Sequence, residues 1–228
     1  MKLTSITDIG VKRTNNQDNF WASRLNINGS EAGVICLCDG MGGLSNGALT
    51  SKIVAERVMQ FFKKSIDFKE LENIIKEANT YIYEVISKKG QSGTTCTILF
   101  CLNGEYKILH VGDSRCYRVS SSGVQLLTED HTVIEKYRKQ GRDLPDDLVK
   151  KYRNVLTRCV GAEKNVSLDY LEGTYSDGDY FLVCSDGFWH YLKESSFSNG
   201  DIFNLSLLVG KFKASGETDN ITAGLLIV

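Results

Sequence analysis

The chain has 228 residues, and its 27 lysines and arginines nearly balance 28 aspartates and glutamates, for a formal net charge of −1. This balance gives no bulk attraction to nucleic acid or to anionic membranes, so we expect neither as a partner. No apolar run approaches the roughly 20 residues that span a bilayer. The first residues also lack the apolar region of a signal peptide, so we expect a cytoplasmic protein.

The first half of the chain predicts three strands followed by two helices. Strands are expected at 2–9, 19–27 and 32–38, the last being the most apolar. Residues 45–64 place their apolar side chains on one helical stripe, and residues 67–88 repeat this pattern. The stripe of the second helix consists of Leu71, Ile74, Ile75, Ala78, Ile82 and Val85.

From residue 93 the pattern becomes that of an antiparallel meander. Asn103-Gly104 between two apolar runs is a strong hairpin signal, and Ser122-Gly123 marks a second turn. Residues 130–152 are polar and in part helical. The remaining elements are expected as strands at 155–160, 166–173 and 179–184, a helical turn at 186–192, a helix at 201–213 and a closing strand over NITAGLLIV.

This order of elements favours the α+β class, because strands, two helices and further strands follow one another without regular βαβ alternation. Many strands are apolar on both faces, which suits two mostly antiparallel sheets packed face to face with helices on their outer surfaces. No linker, repeat or change of composition divides the chain. We therefore expect a single domain over residues 1–228 and, by default, a monomer.

Seven cysteines lie mostly in apolar runs such as VICLC and FLVCS, and the sequence contains no Cys-x-x-Cys. We expect them to be reduced packing residues, the usual state of buried cysteine. A hydrolase with a cysteine nucleophile stays open as a weaker alternative, although no partner histidine lies nearby in the sequence. His110, His131 and His190 are expected to have structural roles.

Five aspartates lie at strand ends or glycine turns: Asp18, Asp39, Asp113, Asp186 and Asp219. Each one alone is best explained as a turn or cap residue. Three of them, however, end or directly follow strongly apolar strands, so neighbouring strands would bring the carboxylates together. Converging carboxylates raise one another's pKa unless a cation is present, and a site with oxygen ligands alone suits Mg²⁺ or Mn²⁺.

Two further residues gain a role beside such a cluster. Gly40 has no side chain, so its carbonyl oxygen can approach a metal ion. Arg13 would be an ordinary surface residue on its own, but next to metal ions its guanidinium fork suits the oxygens of a phosphate.

Eight motifs occur in order from about Asp8 to Val228: GVKRTNNQD, CDGMGG, SGTTCTILF, VGDSR, LTEDHT, NVLTRCVG, LVCSDGFW and TDNIT. Together they resemble the metal-dependent protein serine/threonine phosphatases of the type 2C (PPM) family, in particular its compact bacterial members. A single Asp-Gly is not specific, but eight motifs in family order are. The resemblance implies a four-layer α-β-β-α sandwich with a metal centre at one end of the two sheets.

The resemblance also implies the metal ligands, for two or three Mn²⁺ or Mg²⁺ ions. Asp39 would bridge two ions, and the carbonyl of Gly40 would bind one of them. Asp186 and Asp219 would hold the other. Asp113, with Asp186, would form the third-metal site that bacterial relatives have.

By the same resemblance, Asp18 would act through a water molecule and Arg13 would bind the phosphate. Residues from about 132 to 154 would form a flap beside the site that influences substrate choice. Met41 occupies a position where many eukaryotic members have a histidine, so water is the expected proton donor to the leaving group.

The expected activity is hydrolysis of phosphoserine and phosphothreonine by a metal-bridging hydroxide, reversing the action of a bacterial serine/threonine kinase on its protein substrates. The alternative is a catalytically silent, phosphatase-like binding module. The sequence argues against it, because a decayed site would have lost ligands and all five aspartates are present.

Overall fold

A computed structural model of the chain describes residues 1–41 and 45–228. Gly42 and Gly43 of the CDGMGG motif, and Leu44 after them, lie outside the described residues. The strands are β1 (Lys2–Asp8), β2 (Asp18–Ile27), β3 (Ser30–Asp39), β4 (Cys96–Leu102), β5 (Glu105–Val111), β6 (Arg115–Ser120), β7 (Gly123–Leu126), β8 (Asp169–Thr174), β9 (Tyr180–Cys184) and β10 (Ile221–Ile227).

The α-helices are α1 (Gly47–Phe62), α2 (Phe68–Tyr81), α3 (Val133–Lys139), α4 (Asp146–Tyr152), α5 (Asp186–Trp189), α6 (Glu194–Ser198) and α7 (Leu205–Ala214). Within the described residues, none of them is both long enough and apolar enough to cross a membrane.

The strands form two five-stranded antiparallel sheets that pack face to face. The first sheet has the order β1-β10-β9-β6-β7 and the second has the order β2-β3-β4-β5-β8. Side chains such as Ile35, Leu99 and Phe181 fill the core between the sheets. Helices α1 and α2 cover the outer face of the second sheet, and α5 and α7 cover that of the first. The four-layer α+β sandwich is therefore confirmed.

The second predicted helix, over 67–88, is regular only in its first part. Asp67 caps α2 by accepting hydrogen bonds from the backbone N–H groups of Lys69 and Glu70. After Tyr81 the chain continues as a π-helical turn over Ile82–Ile86 and then a short 3₁₀ turn. The wider turn breaks the period of 3.6 residues, and Val85, predicted on the buried stripe, is exposed.

Two other predicted elements differ from the structure. The strand expected at 155–160 is absent from this described segment, which makes only single bridges, at Leu156 to Thr132 and at Val160 to Thr94. The helix expected at 201–213 is divided into a 3₁₀ turn and α7, because the Asn204 side chain caps a new helix start.

The prediction for the cysteines is confirmed, since all seven are free and buried. Burial raises the pKa of the Cys38 and Cys101 thiols well above the usual value. Three thiols, from Cys36, Cys38 and Cys96, lie within 4.8 Å of one another in the core under α1 and α2.

Candidate active site

The five aspartates of the sequence analysis lie at one end of the sandwich. In the second sheet Asp39 ends β3 and pairs directly with Asp18 at the start of β2. In the first sheet Asp186 follows β9 and Asp219 precedes β10. Asp113 lies where the chain crosses from β5 of the second sheet to β6 of the first. Strands from both sheets thus deliver carboxylates to one place.

Four of these carboxylates line one open cavity with about 470 Å³ of empty space. We call Asp39, Asp113, Asp186 and Asp219 the carboxylate rim. The full lining consists of Arg13, Asp39, Met41, Thr95, Asp113, Asn154, Leu156, Asp186 and Asp219. Asp18 is buried and is not among them.

The rim is electrostatically unfavourable by itself. Burial raises the pKa of Asp39 well above the usual value, and the nearby charges of Asp18 and Asp186 raise it further. Burial and then the charge of Asp186 raise the pKa of Asp113 in the same way. A divalent cation among these groups would reverse the effect by favouring their ionised forms.

Asp18 is an orphaned carboxyl group. Neither of its oxygens accepts a hydrogen bond from the described residues. Burial raises its pKa to about 7, and the hydroxyls of Thr222 and Ser185 offset this only in part. Both hydroxyls have other partners, because Thr222 Oγ1 lies 2.9 Å from Thr7 Oγ1 and Ser185 Oγ donates to the Thr222 carbonyl at 3.4 Å. The unfilled acceptor capacity of Asp18 suits water molecules around a hydrated cation.

The donor set of the rim also fits hard divalent cations, because the rim offers carboxylate oxygens and neither imidazole nor thiol. The three-cysteine cluster in the core, by contrast, offers only soft thiol ligands.

Gly40 has a packing role that the sequence analysis did not assign. A Cβ atom at this position would lie 2.5 Å from the carbonyl oxygen of Gly47, at the start of α1. The Gly40 N–H donates to the Gln17 carbonyl at 3.1 Å, and Ser51 Oγ donates to the same oxygen at 2.6 Å. Glycine is thus required here for the close approach of helix and strand.

Arg13 lines the cavity, but its guanidinium is held by the rim. Its Nε and Nη2 atoms donate to the two oxygens of Asp219 at 2.8 and 2.6 Å. These hydrogen bonds raise the pKa of Arg13. The predicted phosphate ligand and a predicted metal ligand are therefore paired with each other.

Asn220 anchors the Arg13 loop, although nothing in the sequence pattern indicates this role. Asn220 Nδ2 donates to the carbonyls of Ile9 and Asn15 at 2.9 and 3.1 Å, and its Oδ1 accepts the Gln17 N–H at 2.9 Å. Its neighbour in the TDNIT motif was recognised because it is acidic, whereas the role of Asn220 depends on a loop more than 200 residues away.

Two hydroxyl groups connect the two sheets under the rim, and they were missed as well. Thr95 Oγ1 accepts the backbone N–H of Asp39 at 2.9 Å. The same oxygen lies 2.8 Å from Ser114 Oγ, next to Asp113. Both residues belong to motifs recognised above, SGTTCTILF and VGDSR, but nothing in a single sequence shows that their side chains meet.

The predicted flap consists of α3, α4 and their connections. Neither helix buries a residue in this fully described segment. Its base is closed where Val133 N–H donates to the Val155 carbonyl at 2.9 Å. Asn154, at the end of the flap, lines the catalytic cavity.

One thiol lies close to the cavity, on Cys159, whose Sγ is 3.4 Å from Sδ of Met41. Burial raises the pKa of this thiol to about 11, so it is a poor nucleophile at neutral pH. The cysteine-based alternative has no support here.

Comparison with known proteins agrees with this geometry. The sequence profile of the protein phosphatase 2C family matches residues 11–213, and the chain belongs to this family. The protein phosphatase PhpP of Streptococcus pneumoniae is 28% identical over 246 residues, which cover 99% of this chain and 97% of the relative.

Solved structures give the same result. The serine/threonine phosphatase of S. agalactiae superposes with a TM-score of 0.85 at 26% identity, covering 100% of this chain and 99% of that one. The catalytic domain of the phosphatase PstP, solved in complex with 2 manganese ions, gives a TM-score of 0.80 at 21% identity over 98% of this chain and 96% of that one. At that identity the second likeness shows the fold alone.

Proposed function

We propose that this chain is a metal-dependent protein serine/threonine phosphatase, with residues 1–228 forming one catalytic domain. The observation that carries the proposal is the carboxylate rim, which collects four aspartates and an arginine around one open cavity. The relatives reported above are named serine/threonine or protein phosphatases. Its substrates would be phosphoserine and phosphothreonine in proteins modified by a serine/threonine kinase.

We further propose that the rim holds two Mn²⁺ or Mg²⁺ ions, with Asp39 between them. The carbonyl of Gly40 would bind one ion, and Asp186 and Asp219 would bind the other. Asp113 and Asp186 would share a third. Ions bound there would activate water as a nucleophile and neutralise charge on the phosphoryl group.

The protein's own groups would place the substrate. Arg13 suits two equatorial oxygens of the phosphate, because its fork presents two parallel donors. Asp219 now holds that fork, so phosphate binding requires the two Arg13–Asp219 hydrogen bonds to break. Asp18 would orient water behind Asp39. Met41 carries no transferable proton, so the leaving alkoxide would take its proton from solvent.

A direct test is hydrolysis of a phosphothreonine peptide with Mn²⁺ by the wild type and by Asp39→Asn. We expect the variant to lose more than about 100-fold in kcat, since even residues that only orient metal ligands are worth 10–100-fold. Asp201→Asn is a matched control, because Asp201 forms a surface ion pair with Lys211. EDTA should abolish the wild-type rate.

Equal rates for the wild type and Asp39→Asn, or no wild-type rate with Mn²⁺, would contradict the proposal. If the wild type showed no activity with Mn²⁺, calorimetric titration with Mn²⁺ would test the alternative of a silent binding module. Such a module would bind no Mn²⁺ at the rim.

A further inference from the structure

The chain crosses between the two sheets at Gly112–Ser114, and this crossover carries Asp113. It is pressed against the start of β4, where a Cβ atom on Gly112 would lie 2.5 Å from Cβ of Thr95. Gly112 has a φ of +113°, which a residue with a side chain rarely adopts. The position of the Asp113 carboxylate therefore depends on what holds this short segment.

His131 holds the crossover from one side. Its ring Nδ1 accepts the Gly112 N–H at 3.0 Å, and its own backbone N–H donates to the Gly112 carbonyl at 2.8 Å. Its ring Nε2 lies 2.9 Å from the carboxylate of Asp169, which suits a donor at that atom. A backbone N–H can only donate, so the Gly112 contact makes Nδ1 the acceptor and places the ring proton on Nε2, which also contacts the guanidinium of Arg158 beside Asp169. His131 is only 3% exposed, so solvent cannot replace these contacts.

Trp189 holds the crossover from the other side. Its indole N–H donates to the carbonyl oxygen of Asp113 at 2.9 Å. The guanidinium of Arg115 lies 3.5 Å from the centre of the Trp189 ring and is itself paired with Asp130 at 2.7 Å. Stacking under an anchored cation fixes the plane of the indole and the direction of its N–H.

Trp189 is also connected to a second rim carboxylate. It is the last residue of α5, and Asp186 is the first. One helical turn therefore separates the Asp186 side chain from the indole that contacts Asp113.

We propose that His131 and Trp189 are positioning residues that set the distance between Asp113 and Asp186, and with it the affinity of the rim for the ion these two carboxylates would share. The proposal rests on the proposed function, because it assumes that the rim binds divalent cations. Both residues act through the backbone of Gly112 and Asp113, and neither lines the cavity.

Trp189→Phe tests one side of this arrangement, because it removes the indole N–H and keeps an aromatic ring under Arg115. The measurement is a calorimetric titration of the metal-free full chain with Mn²⁺. We expect the Kd of the weakest ion to rise by about tenfold, the lower end of the range for residues that orient metal ligands. The tighter ions should keep their affinities within about twofold.

Trp21→Phe is the matched control, since Trp21 stacks on Phe62 in the core between α1 and the second sheet. It should titrate as the wild type does. In an Asp113→Asn background, Trp189→Phe should cause no further change, because the carboxylate that it positions is already lost.

His131 is tested without metal, by hydrogen exchange of the Gly112 amide measured by NMR. We expect this amide to be protected in the wild type and to exchange at least about tenfold faster in His131→Leu, which has no acceptor. His131→Asn retains an acceptor at the δ position and should restore part of the protection. Thermal unfolding of each variant shows that it is folded.

Three results would overturn the proposal. They are unchanged Mn²⁺ binding in Trp189→Phe, an equal effect of that substitution in the Asp113→Asn background, and a Gly112 amide that stays protected in folded His131→Leu. Failure of the proposed function would differ, because the wild type would then neither bind Mn²⁺ nor hydrolyse the phosphopeptide.

Discussion

The carboxylate rim and the flap, through Asn154, both line one cavity, and they are built in opposite ways. Rim residues sit at the ends of buried strands, and Asp113 and Asp186 are 7% and 8% exposed. The flap consists of two helices of 7 residues each, neither of which buries a residue in this described segment. The rim carboxylates are therefore positioned by core strands, whereas the two flap helices lie at the surface.

This difference suggests a division of roles, in which the rim carries out catalysis and the flap influences the choice of substrate. The core can hold like charges together although burial and mutual repulsion raise their pKa values. A surface segment can change its side chains without disturbing that arrangement. We expect changes in the rim to affect every substrate, and changes in the flap to affect peptide substrates.

The largest expected effect is on folding, from a pair of matched glycine substitutions. Gly40→Ala places a methyl group against the Gly47 carbonyl oxygen, and we expect it to lower the free energy of unfolding by about 3 kcal/mol. Gly141→Ala, between α3 and α4, meets no atom within 4 Å and strains only a φ of +67°. We expect a loss of about 1 kcal/mol there. Urea unfolding of both variants measures the difference, and equal losses would remove the distinction between rim and flap.

The second prediction concerns pH in the metal-free protein. Burial raises the pKa of Asp18 to about 7 in the folded state, and the pKa values of Asp39 and Asp113 are also raised. The folded protein thus retains protons on these carboxyl groups that the unfolded chain releases near pH 4. The stabilisation that these protons provide is lost as the pH rises through about 7. We expect the Tm after chelator treatment to fall by about 3–8 °C from about pH 6.5 to about pH 8.

Two histidines define the lower limit of this range. Burial lowers the pKa of His110 to about 3 and also lowers that of His131. The unfolded chain protonates these histidines below about pH 6.5, whereas the folded protein keeps them neutral. Their contribution therefore makes stability rise with pH, but only below about pH 6.5. Mn²⁺ should restore more of the Tm at about pH 8, because carboxylates bind metal in their ionised form. A Tm that rises with pH in metal-free protein would contradict this account of the rim.

The smallest expected effect comes from the flap. Asn154→Ala removes one polar group from the cavity lining. We expect the KM for a phosphothreonine peptide to rise by about 2–5-fold, the value of one hydrogen bond, and the kinetics with p-nitrophenyl phosphate to stay unchanged. Asn199→Ala, on the exposed end of α6, is the control. If Asn154→Ala affected the phosphothreonine peptide and p-nitrophenyl phosphate equally, Asn154 would contribute to catalysis and not to peptide binding.

Most of the fold was predictable because its signals are local. The stripe of α1 and the Asn103-Gly104 turn each depend on residues close in sequence. The predictions failed where tertiary contacts determine the local structure. Asn79 is 1% exposed on α2, and its side chain bonds the backbone of Gly161 and Lys164 just before the chain turns π-helical. A polar residue on a helix carries no sign of such distant partners.

The sequence by itself determined the family, the four layers and the five aspartates, because motif order, hydrophobic periodicity and strand ends can all be read along one chain. Only the tertiary structure showed that Arg13 is paired with Asp219, that Asp18 lacks a partner among the described residues, and that His131 and Trp189 hold the crossover at Asp113. These contacts join segments far apart in the chain. Their geometry exists only after both sheets and the outer helices have packed.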